Sequence, residues 1–257
     1  MTPKIRLLVF LIGAIGLGAV YCAGARNMPA WAEYRGPYGD VIASLAVFER
    51  HATDTVNAIT YDYRGFDTLG EEFILFSAVT GVMLLLRPEK GEQKKRNEEN
   101  NQNPQSFQDA AALSETVQVF TTALFGFSVL FGVYIATHGQ LTPGGGFQGG
   151  VIIAAAPMLL YIAENTDAFR RIVSHPIVEF FEGFGASLYA LIGFIALVAG
   201  APFLTNVLPL GQTGDVFSSG TIGLISTCVG VEVAAAFILV TYEYLREILS
   251  RERDQER

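Results

Sequence analysis

Six stretches of this chain stay apolar for long enough to cross a bilayer, and polar segments separate them. A membrane-spanning helix needs about 20 predominantly apolar residues. Residues 5–24, 69–86, 116–137, 143–163, 180–200 and 219–245 each meet that length. The first run lies between Lys4/Arg6 and Ala23-Gly24-Ala25 and has the outline of a secretory signal. The sequence starts at Met1 with the run in place, so it is read as a retained span. Between the second and third runs, 88–113 contains KGEQKKRNEENNQNPQ, too polar to bury a core, and reads as a solvated linker. The segment 25–68 is too long for a turn and too charged to span. Within it Val56, Ile59 and Tyr63 recur at helical spacing, which predicts a short amphipathic helix at the outer interface. The fold class expected is therefore all-α integral membrane, with six transmembrane helices grouped two and four. The corresponding division is a two-span module 1–87, a polar linker 88–115, a four-span module 116–245 and a charged tail 246–257.

Composition sharpens this picture. The 257 residues are 51% hydrophobic and 16% charged, against about 25% charged in ordinary soluble proteins. Nine of the charges fall in 88–110 and nine more in 243–257, so the remainder is too apolar for a soluble domain. A net charge of −8 and the lack of a basic, aromatic-interleaved patch exclude a nucleic-acid binder. Thirteen of the 17 Lys and Arg fall on one side if the N-terminus is cytoplasmic, and four on the other. By the positive-inside rule both termini are expected in the cytoplasm of a multi-pass cell-membrane protein. Trp31, Tyr34 and Tyr38 then read as an outer aromatic anchor.

Several motifs carry candidate chemistry. Thr142-Pro143-Gly144-Gly145-Gly146-Phe147-Gln148-Gly149-Gly150 formally holds G-x-G-x-x-G, but apolar helices flank it where a nucleotide fold needs strands. Its five glycines suit either close helix packing or a broken helix whose freed N–H groups face a cavity. Around the start of the second span stand Asp62, Arg64, Asp67, Thr68, Glu71 and Glu72. Thr68 and Glu71 have capping-box spacing, and Thr68 or Asp67 is expected to cap the span. Arg64 is placed to pair with Asp62 or Asp67. Two adjacent carboxylates entering the bilayer exceed the need of a cap, so Glu71 or Glu72 is a candidate proton or cation ligand.

Glu232 lies mid-span, where a charge costs roughly 2.5–3.5 kcal/mol on insertion scales and usually marks an ion path. A protonated, hydrogen-bonded glutamic acid is the alternative. His138, Glu115, Glu164, Glu179 and Glu182 stand near span ends, where most can reach water. Of these His138, beside the glycines, is retained as an ion-path candidate. Cys22 and Cys228 sit in apolar runs and read as core residues. Metal-ligand spacing and nucleophile–base pairs are missing, so no cofactor, metal or catalytic centre is expected.

At these residues the chain resembles known ion transporters. His138-Gly139 with Pro143–Gly150, and Pro202-Phe203-Leu204-Thr205 after the next span but one, are similar to the B subunit of Mrp-type Na+/H+ antiporters. Tyr63-Arg64-Gly65-Phe66-Asp67-Thr68-Leu69-Gly70-Glu71 resembles the C-terminal end of the large A-type component of the same antiporters, and a separate small component of membrane-bound hydrogenases. The resemblance implies a non-catalytic subunit of a multisubunit cation/proton antiporter, with Na+, H+, lipid and fellow subunits as partners. Glu232, Glu71 and Glu72, with Asp67 and His138, would line or border its ion path. The alternative it implies is a membrane-arm subunit of a hydrogenase-type respiratory complex.

Overall fold

The computed structural model describes residues 3–26, 28, 36–86, 115–163, 169 and 172–255. All regular elements among them are helical: α1 (Pro3–Arg26), α2 (Pro37–Arg50), α3 (Thr55–Ala58), a π-helical turn (Ile59–Tyr63), α4 (Gly65–Leu85), α5 (Glu115–Thr137), α6 (Gly146–Ile162), α7 (His175–Val198) and α8 (Thr221–Gln255). Five are long and apolar enough to cross a membrane, and α6 supplies a shorter apolar helix over Gly146–Tyr161. Residues 88–114 of the linker, Trp31, Tyr34 and Glu164 lie outside the described residues.

Two compact units divide the chain, Met1–Val41 and Ile42–Arg257. In the first, every described side chain of α1 is exposed, as suits a surface facing lipid or another chain. The second is organised around α8, which touches α4, α5, α6 and α7. Small residues allow this. At Gly150 an added Cβ would stand 2.8 Å from the Gly230 carbonyl oxygen and 2.8 Å from Val233 Cβ, and at Gly149 it would stand 2.5 Å from the Gly132 carbonyl. At Gly185 it would stand 2.7 Å from Glu232 Cβ. Without a hydrophobic drive between helices in lipid, close backbone approach of this kind supplies the packing energy.

The outer segment departs from the sequence expectation in three ways. A helix not read from the sequence, α2, buries Ile42 and Ala46 in the main core. The expected amphipathic helix forms at 55–63, but its inward face carries Asn57, Ala58 and Tyr61, while Val56 is 66% exposed. Polar groups point inward because their partners, the loops that precede α6 and α8, are themselves polar. The span's cap is also displaced. Asp54 caps α3, accepting from the N–H groups of Val56 and Asn57, and the chain runs on through the π turn into α4. Thr68 is thus already inside a helix, and its hydroxyl donates to the Thr60 carbonyl at 2.7 Å. That carbonyl belongs to the π turn, whose widened ladder leaves main-chain groups to be satisfied by side chains.

The fourth expected span, 143–163, begins later, at Gly146. Gly144 and Gly145 have φ of 140° and 130°, a region open to glycine and to few other residues, so helix cannot start before them. Pro157 is tolerated inside α6, as proline commonly is in membrane helices.

Candidate functional site

Three glutamates meet where α4, α7 and α8 pack together. Glu232 on α8 is 0% exposed, Glu182 on α7 1% and Glu72 on α4 4%. Glu72 and Glu232 share a side-chain hydrogen bond, which requires one of the two to carry a proton. Apart from each other these carboxyls have no hydrogen-bond partner in the protein, and Oε1 of Glu182 has none. Glu72 and Glu182 each interact electrostatically with Glu232. No cation of the protein pairs with the three among the described residues. Leaving such groups unpaired is costly, and proteins keep them so where an ion or proton visits.

Rotation of α4 selects between the adjacent carboxylates. Glu72 points into the helix junction, whereas Glu71 is exposed. Asp67 is exposed too, and is held by Arg64, whose Nε donates to its Oδ2 at 2.6 Å. His138 is half-buried at the end of α5. Its ring stacks on Tyr134 with centroids 4.3 Å apart, and Nδ1 lies 3.1 Å from the Tyr134 carbonyl oxygen. The partners of Asp67 and His138 are thus on their own helices, away from the three glutamates. Glu182, read from the sequence as a span-end residue, sits two turns inside α7 because the helix starts at His175 rather than at Phe180. The i, i+3 step from Glu179 gives no sign of this, and only an earlier helix start would have shown it.

On one side a polar network leads toward the cluster. Asn57 Nδ2 donates to Asp54 at 2.8 Å and to the Gly144 carbonyl at 3.0 Å. The Gly146 N–H, freed at the glycine break, donates to the Tyr61 hydroxyl at 3.2 Å. Tyr61 lies in the π turn within electrostatic reach of Glu72 and close to Ser226. Tyr189 on α7 donates to the Gly65 carbonyl at 2.8 Å. Beyond them Asn206, which the sequence did not single out, donates to Asp62 at 3.2 Å and to the Ser219 carbonyl at 2.9 Å, and its Oδ1 accepts the Thr221 N–H that opens α8. Arg50, not Arg64, pairs with Asp62, at 2.9 Å. Gly144 and Gly145 thus shape a polar cap, and Gly146, Gly149 and Gly150 seat α6 against α5 and α8.

Burial pushes the Tyr61 hydroxyl up to about 12. Tyr63 is also raised to about 12, by burial and by the hydrogen bond it donates to Glu49. For Tyr61 the folded value exceeds the unfolded one of about 10, so its contribution is complete below pH 10 and is lost as pH rises through about 12. Two units correspond to about 3 kcal/mol. Thermal unfolding followed by helix signal in detergent should therefore fall between pH 10 and 12 less steeply for Tyr61→Phe than for the parent. Equal slopes would show that Tyr61 does not stay protonated in the fold.

Residues 116–239 match the family described as a domain related to the MnhB subunit of Na+/H+ antiporters. A putative mnhB2 antiporter subunit of Staphylococcus aureus is 32% identical over 117 residues, and the chain covers 82% of its length. The chain belongs to the MnhB family of antiporter subunits. This MnhB-family chain is also 30% identical over 221 residues to a probable K(+)/H(+) antiporter A/B subunit of Rhizobium meliloti, of which it spans 21%. Its fold matches a chain of the membrane-bound sulfane sulfur reductase, an archaeal respiratory membrane complex, with TM-score 0.65 and 29% identity, covering 94% of this chain and 98% of that one. A chain of the Mrp complex from Dietzia sp. DQ12-45-1b matches with TM-score 0.66 at 22% identity; the match covers 95% of this chain and 26% of that one. With its apolar helices, the MnhB-family chain is a multi-pass protein of the cell membrane.

Proposed function

We propose that this chain is a non-catalytic subunit of a multisubunit cation/proton antiporter, of the Na+/H+ kind, and that it contributes the centre of an ion path. The observation carrying this is the cluster of Glu72, Glu182 and Glu232, three acids buried together where three apolar helices meet, with no cation of the described residues paired to them. Glu71, Asp67 and His138 border the path rather than occupy it. The family supports the antiporter setting. The A/B-type relative supports reading 1–87 as an A-type module joined by 88–115 to the B-type module 116–245, with 246–257 as a tail. Na+, H+, the bilayer and other subunits are the partners in this reading, and no cofactor takes part.

A second reading rests on the near end-to-end match to a chain of a respiratory membrane complex. The same subunit would then serve a redox-driven pump. Purification from the native membrane in mild detergent separates the two. Large antiporter-type subunits recovered without redox proteins support the first reading, and co-purified iron–sulfur or reductase subunits support the second. Recovery of the chain alone and intact would overturn both.

A further inference from the structure

One face of α7 leads from the surface to Glu232. His175, Glu179, Glu182, Gly185 and Tyr189 follow one another at intervals of three or four residues, so they share that face. Glu179 keeps 57% of its side chain exposed, whereas Glu182, one turn further in, is buried. The two carboxylates interact electrostatically, and Glu182 interacts in turn with Glu232. At Gly185, the next step, α8 comes so close that an added Cβ would stand 2.7 Å from Glu232 Cβ and 2.8 Å from the Glu232 nitrogen. Oε1 of Glu182, in the middle of this line, is buried without a hydrogen-bond partner. The packing beside the line is apolar: Val178 joins Ala235, Ala236 and Leu239 of α8 and Val79 of α4.

The two ends of this face differ in chemistry. Where α7 begins, His175 lies between two acids, 3.6 Å from Glu179 Oε2 and 3.3 Å from Glu243 Oε1. Glu243 is buried and paired with Arg246, so Glu179 is the one of the two in reach of water. Beyond Gly185 the face is closed by Tyr189, which is fully buried and donates its hydroxyl to the Gly65 carbonyl at 2.8 Å. Groups of the polar network on that side are committed to one another. The Gly146 N–H donates to the Tyr61 hydroxyl, and the Ser226 hydroxyl donates to the Ala136 carbonyl at 2.7 Å. A cation that sheds water needs oxygen ligands in its place. On this face of α7, carboxylates supply them between its first turn and Glu232.

From this geometry we infer that Glu179 is the mouth through which cations reach the three-glutamate cluster, and that Glu182 passes them on to Glu232. The inference deepens the ion-path reading and rests on it. Glu179 concentrates cations at the entrance by its charge. Glu182 replaces part of the water that a cation gives up between apolar walls. The two acids therefore act on different quantities. Glu179 sets how much sodium half-saturates transport, and Glu182 sets the rate once sodium is saturating.

Sodium-dependent proton exchange by the whole complex in vesicles tests this, with sodium varied on each face in turn. Glu179→Lys should raise the half-saturating sodium concentration about tenfold on one face and leave it unchanged on the other, with the maximal rate kept. Glu179→Gln should raise it about threefold on the same face. Both shifts should shrink in about 1 M choline chloride, where the Debye length is about 3 Å. Glu182→Gln should instead cut the maximal rate, by roughly tenfold or more. An unchanged half-saturation in Glu179→Lys overturns the mouth, and so does a shift of equal size on both faces. Should Glu179→Lys not assemble, Glu179→Gln alone decides. A parental maximal rate in Glu182→Gln removes the link between mouth and cluster and overturns the line as a whole. Glu232→Gln separates the two ideas. Normal exchange in that variant sinks the path reading, and the mouth with it. Exchange that needs Glu232 but ignores Glu179 sinks only the mouth.

Discussion

Replacing Glu232 by Gln is expected to reduce sodium-dependent proton exchange in vesicles by roughly 100-fold or more, the scale on which a single proton-handling group contributes, while the complex still assembles. Gln is nearly isosteric with Glu, so the close contact between Gly185 and the Glu232 backbone is undisturbed. What changes is chemistry: the amide can neither release a proton nor hold a cation by charge. If the buried carboxyl served only as a structural hydrogen-bonding group, the opposite pattern would follow. Glu72 is its side-chain hydrogen-bond partner, and the Gln amide can still donate to that carboxylate, so stability should stay close to the parent's. A purely structural Glu232 therefore predicts intact transport and an unfolding temperature near the parent's. Glu72→Gln should behave like Glu232→Gln, because Glu72 is buried against the same centre. Glu71→Gln should transport nearly normally, since Glu71 is exposed. Equal losses at Glu71 and Glu72 would mean that α4 works in a different orientation.

The second large effect is expected from the glycines of α6. Gly146→Ala places a methyl group against the Ser226 carbonyl oxygen and 2.8 Å from Val229 Cβ. The first of these is backbone of α8 and cannot rotate away, so the helices must separate. A cost of about 1–3 kcal/mol is expected, as for other overpacked sites, and it falls on the element around which the rest of the bundle is arranged. Gly150→Ala should act similarly, through the Gly230 carbonyl and Val233. Gly183→Ala on α7 is the control: no atom lies within 4 Å of the added carbon, and exchanging a helical glycine for alanine should gain about 0.5–1 kcal/mol. Thermal unfolding of the three variants in one detergent, with yield of the assembled complex, reads the difference. If Gly146→Ala and Gly183→Ala unfold at the same temperature, the contact between α6 and α8 is not the one that holds the bundle.

These expectations draw on the sequence to different depths. Chain length through a bilayer is a local property, so uninterrupted apolar runs disclosed α1, α4, α5 and α7 to within five residues and the start of α8, which runs ten residues past its expected end, together with the all-α class. Glu232 stood out for the same reason, as a carboxyl in the middle of a run where water cannot reach it. The resemblance of the glycine motif, and of Pro202-Phe203-Leu204-Thr205, to antiporter B subunits needed no structure either. It agrees with the family match over residues 116–239.

Tertiary structure decided what depends on rotation and on distant partners. Which of Glu71 and Glu72 turns inward follows from how α4 packs against α7 and α8, and two neighbouring letters in a sequence cannot carry that angle. The inward face of 55–63 differs from the one its periodicity predicts, because periodicity assumes a wholly apolar interior. Here the interior offers the Gly144 carbonyl and the Gly146 N–H beside the apolar cluster that takes in Ala58 and Tyr61, so Asn57 and Tyr61 turn toward it and Val56 turns away. Thr68 lost its expected capping role because helix already precedes it through the π turn. Glu182 and Glu243 stand near the ends of their apolar runs, yet neighbouring helices cover both. The sequence alone thus determined that the chain is built from long apolar helices and which charge among them is costly. Only the packing of α4, α7 and α8 determined which other charges share that cost, because burial of a polar group is set by the neighbours that exclude water from it.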